Sequence, residues 1–101
     1  MKLNANIVRE LRERALDGTL PSQLVMLVGR LLNLGHTNFR LLAVAYFPQA
    51  FGISLADAKI IGAASIFPGG ECNDADLNRR LVPIIKSTRH LWEHNCQRLQ
   101  R

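Results

Sequence analysis

Acidic residues and lysine are missing from the whole stretch between Gly18 and Ala56, where only Arg30 and Arg40 carry a fixed charge, with His36 between them. A segment so poor in charge has to be buried, by this chain or by a partner. Alternation of apolar and polar residues at period two is also missing, and β-branched residues are few. That argues against a half-buried sheet as the main architecture. A membrane-spanning helix needs about 20 apolar residues in a row. The longest stretch without Lys, Arg, Asp, Glu or His runs from Leu41 to Ala56, and Pro48 and Gly52 interrupt it, so no span is expected. Met1 to Glu10 lacks the apolar core of a secretory signal, which makes a cytoplasmic location the expectation. Cysteine is scarce: Cys72 and Cys96 stand alone, without Cys-x-x-Cys spacing. This excludes a disulfide framework, and both thiols are expected reduced.

What is present fits one globular domain over residues 1–101, with 48% hydrophobic and 21% charged residues. Thirteen Lys and Arg against eight Asp and Glu leave a net charge of +5. Such a balance favours anionic partners without bearing on the fold.

Periodicity places five helices. Asn4 or Asn6 caps the first, which runs to about Asp17 with Gly18 as its stop. Leu3, Ile7, Leu11 and Ala15 form its apolar stripe, and Arg9, Arg12, Glu13 and Asp17 its polar side. Pro21 fits the first turn of a second helix, read from Gln23 to Leu34 and ended by Gly35. Its Leu and Val residues cover more than half the circumference. Thr37 or Asn38 caps a third helix, Phe39 to Phe51, which has no polar face and in which Pro48 should cause a kink or break. Ser54 opens a fourth, Leu55 to about Ile66, with a small-residue face of Ala and Gly that lets another helix approach. Phe67-Pro68-Gly69-Gly70 ends it. Asn73 or Asp74 caps a long amphipathic fifth helix reaching the C-terminal region. It carries Leu77, Leu81, Ile84, Ile85, Leu91, Trp92, Cys96 and Leu99 on one side. The fold class expected is all-α, a single compact bundle of about five helices with short connections.

Few residues suggest chemistry. His90-Leu-Trp-Glu93-His94 matches the H-x-x-E-H pattern of inverted zinc proteases, since histidines four apart share a helix face. The third protein ligand such a site needs is not evident, and Lys86 and Arg101 on the same stripe oppose a cation. No metal, catalytic residue or cofactor is therefore assigned. The two glycines before Cys72 lack a phosphate-binding lysine, and Glu71, Asp74 and Asp76 repel an anion. Gln49 to Ser54 followed by a helix resembles the turn of a DNA reader. The following helix, however, offers only Asp57 and Lys59 where base-reading Arg, Asn or Gln would stand.

Two functions from different classes follow. The first is a non-catalytic helical binding or regulatory protein that self-associates as a homodimer through its apolar central helices, with Leu42, Tyr46, Phe47 and Phe51 as contacts. The alternative is a basic nucleic-acid-binding regulator that uses Arg79, Arg80, Lys86, Arg89, Arg98 and Arg101. Salt dependence separates them.

Overall fold

In the computed structural model, residues 3–32 and 37–93 are described. They are mostly helical and lack named strands: α1 (Ala5–Leu16), α2 (Pro21–Leu32), α3 (Thr37–Phe51), the single turn α4 (Leu55–Ala58), a 3₁₀ helix (Lys59–Ala63) and α5 (Asp74–Ser87). The all-α reading holds. Three starts are set by the side chains that the sequence points to. Asn4, Ser54 and Asn73 each accept a hydrogen bond from a backbone N–H of the first turn, donated by Asn6, Asp57 and Asp76. Each such cap contributes about 1 kcal/mol. Gly18, at φ 91°, supplies the left-handed backbone that ends α1.

Helix α3 is the centre. It touches α1, α2, α4 and the 3₁₀ helix, and Ala43, Phe47, Ala50 and Phe51 on it are fully buried. Leu11 of α1, Leu24 and Val28 of α2, Ile61 of the 3₁₀ helix and Leu81 of α5 are equally buried and complete one continuous core. Close approach depends on small residues. Gly29 of α2 faces the Phe39 ring, where a Cβ would come within 2.8 Å of Cζ. Gly62 packs beside Val44, which is the use the small-residue face was expected to have.

Three expectations need correction. Of the kink or break expected at Pro48, the break does not occur, and α3 continues to Phe51. It cannot donate to Val44, but its own carbonyl accepts from Gly52 N–H at 2.9 Å, so the last turn closes normally. The fourth helix does not reach Ile66. It tightens into the 3₁₀ turn and leaves helical geometry at Ala64, because Ala64 pairs with Cys72 across the Phe67–Gly70 turn. There Ser65 N–H donates to Cys72 O at 2.7 Å and Cys72 N–H to Ala63 O at 2.9 Å. The long C-terminal helix is not present as one element either. Helix α5 ends at Ser87, capped by Thr88, whose hydroxyl donates to the Ile84 and Ile85 carbonyls. Helical residues resume over 89–93. The break folds Trp92 inward, 3% exposed, with its ring edge-on to Phe51 at 5.1 Å and its indole N–H donating to Ile85 O at 3.4 Å. Burying the largest side chain outweighs keeping the helix straight. The expected ends of the second and fifth helices, and with them Cys96 and Leu99, lie outside the described residues.

Candidate interaction surfaces

The residues expected to join two copies are mostly inside one. Phe47 and Phe51 are fully buried and Tyr46 is 2% exposed. Phe47 and Phe51 stack edge-on at 5.4 Å. The Tyr46 hydroxyl accepts from the Asn4 backbone N–H at 2.9 Å and so ties the start of α1 to α3. Only Leu42 keeps partial exposure. Tyr46, Phe47 and Phe51 belong to the chain's own core. Sequence periodicity does not separate core from contact here, because a helix that is apolar all round does not say which neighbour covers which side.

The cations are similarly redistributed. Arg12, on the polar side of α1, reaches across to the end of α3, its guanidinium donating to Ala50 O at 2.7 Å and Gln49 O at 3.2 Å. It caps carbonyls that the helix itself leaves unpaired. Arg40 lies over the Phe67 ring at 5.3 Å and donates to the Pro68 carbonyl. Arg79 pairs with Asp76 at 2.6 Å and Arg89 with Glu93 at 3.0 Å. Arg14 pairs with Glu10, and the hydrogen bond and charge of that carboxylate hold its guanidinium above its ordinary range. Arg80 and Lys86 are exposed, while Arg98 and Arg101 lie outside the described residues. The described residues carry ten Lys and Arg against eight Asp and Glu, so most of the net +5 belongs to Lys2, Arg98 and Arg101.

His90 is exposed and Glu93 half-buried, its Oε1 accepting from Arg89; His94 is outside the described residues. No group of three His, Cys, Asp or Glu that could hold a metal occurs among the described residues. Nor is any described helix long and apolar enough to cross a membrane. Cys72 is a free, partly exposed thiol beside the Asn73 carbonyl.

Several large apolar side chains also remain at the surface. Leu20, Met26, Leu31, Leu41, Leu55 and Leu91 are each 44–57% exposed, and Ile66 is 36% exposed. Two open clefts gather some of them. One, of about 190 Å³, lies between the α1–α2 turn and α5 and is lined by Leu20, Leu24, Val82 and Ile85 with Lys86. The other, of about 270 Å³, lies between α2, the residues just after the 3₁₀ helix and the start of α5. Val25, Met26, Ile66 and Leu77 line it with Ser22 and Asp74. The joint between α2 and α5 that forms both clefts is sealed by Asn78, whose side-chain oxygen accepts from the Ser22 N–H at 2.8 Å. Comparison with family models, curated proteins and solved structures finds no match.

Proposed function

We propose that this chain is a non-catalytic helical binding protein of the cytoplasm that works by self-association. The observation that carries the reading is the placement of Met26 and Ile66, 48% and 36% exposed, around one open cleft beside a core that is complete without them. Single exposed apolar residues are ordinary, but apolar residues gathered around a cleft are a docking feature. Fully covering one such side chain is worth about 1.5–3 kcal/mol. The contact face is thereby assigned to residues outside the core, not to Tyr46, Phe47 and Phe51. Light scattering over a rising concentration series tests the reading, with a dimeric mass expected at micromolar concentration. A monomeric mass throughout rejects it.

A second reading has its own observation. Arg79 and Lys86, seven residues apart, are both exposed along one line of α5. Such a line suits a phosphate backbone, and binding through it must weaken steeply with salt. Two cations of this region already hold carboxylates, which lowers the charge left for a nucleic acid. No binding to mixed duplex at about 50 mM salt rejects this reading.

A further inference from the structure

We infer that the self-association face is the outer side of α2, with two copies packing antiparallel about a two-fold axis that passes between Met26 and Arg30. The inference rests on the self-association reading and gives it a surface. On α2 the residues Gln23, Met26 and Arg30 are exposed together, as their spacing of three and four on one helix face requires. Leu31, 45% exposed, flanks them. Helix α5 runs opposite to α2. Asn78 meets Ser22, whereas Val82, Ile85 and Lys86 lie beside Leu20 and Leu24. One turn before Asn78, Asp74 therefore stands about level with Met26, and both line the same cleft.

This gives α2 a charge pattern that complements itself. Level with Met26 is an exposed carboxylate, Asp74, and one turn along the same face is an exposed guanidinium, Arg30. A two-fold axis between the two positions exchanges them: each copy's Arg30 lies over the other copy's Met26, and each copy's Met26 under the other's Arg30. Isologous interfaces have this reciprocity. The aliphatic stem of Arg30 then covers Met26 and Ile66, and its head reaches the Asp74 carboxylate of the other copy. A parallel arrangement would set like charges against each other.

The test is the solution mass of the full chain and of four variants, with helicity and melting followed in parallel. Wild type is expected to be a dimer. Met26→Glu and Arg30→Asp should each raise the dimer dissociation constant at least ten-fold with melting of the monomer unchanged, since both positions are exposed. Arg30→Asp combined with Asp74→Arg should restore the dimer by exchanging the two charges. Leu41→Glu, 56% exposed on α3, should leave it intact. A dimer that survives both single substitutions, or one lost with Leu41→Glu instead, overturns this face while self-association stands. A wild-type chain that is monomeric at every concentration overturns both. Failure of the double variant to recover while keeping native melting overturns the Arg30–Asp74 contact and with it the proposed axis.

Discussion

Gly70 shows how much a single position can decide. A Cβ there would run into the Ala64 carbonyl oxygen and come within 2.9 Å of Ala63 O, backbone atoms that have no room to give. Gly70→Ala should therefore cost at least about 1–3 kcal/mol, the range of overpacking in rigid surroundings. Urea unfolding would report this as a lower midpoint with unchanged slope. At Gly18 an added Cβ meets nothing within 4 Å. Gly18→Ala should cost only about 1–2 kcal/mol, for the left-handed backbone alone. Equal losses at the two sites would show that the backbone at Ala63 and Ala64 gives way to the added Cβ. Arg12 is a second such residue. Its two bonds to the end of α3 come from a charged donor, so Arg12→Ala should lower stability by about 1.5 kcal/mol. Arg9→Ala, on the same polar side but bonded only to Asn6, should change little.

At the scale of the element, the segment after Thr88 carries the clearest expectation. Trp92 is the only tryptophan, buried against Phe51, so its emission should be blue-shifted in the native protein and move red on unfolding. Trp92→Ala removes that packing and should cost about 3–5 kcal/mol. Trp92→Phe keeps most of the area and loses only the bond to Ile85 O, about 1 kcal/mol. A water-exposed emission spectrum in the folded protein would contradict the inward turn. This element was half legible in sequence. Leu77, Leu81, Ile84 and Ile85 follow the helical stripe, and the structure buries or half-buries all four. Leu91 was assigned to the same stripe yet is 54% exposed. The turn at Thr88 shifts the phase, and nothing local in Ser87-Thr88 announces it. Both hydroxyls donate to the Ile84 carbonyl, which also accepts from the Thr88 N–H, and Thr88 reaches the Ile85 carbonyl as well.

For the whole molecule, Phe47 separates a core role from a contact role. It is fully buried in a single chain. Phe47→Lys should unfold the protein, because an unpaired buried charge costs several kcal/mol. Loss of helicity, measured by circular dichroism, is expected, rather than a folded monomer. A folded monomer would return Phe47 to the contact set. Met26→Glu is expected to behave the other way, remaining folded and losing the second copy.

Periodicity and caps alone determined a good deal. The helical class, the start at Ser54, the choice of Asn4 or Asn6 and of Asn73 or Asp74 as caps, the end of α1 at Gly18 and the tight-packing face around Gly62 are all local. Each depends on residues within a few positions of one another. Which apolar residues stay at the surface was not determined this way. Residues 39–51 are apolar on every side, and only the arrangement of α1, α2 and the 3₁₀ helix around α3 decides that Phe47 and Phe51 are core while Leu41 stays wet. The partners of Arg12 and Asn78 are likewise 38 and 56 residues away. No spacing rule spans such distances, so those bonds belong to the tertiary structure alone.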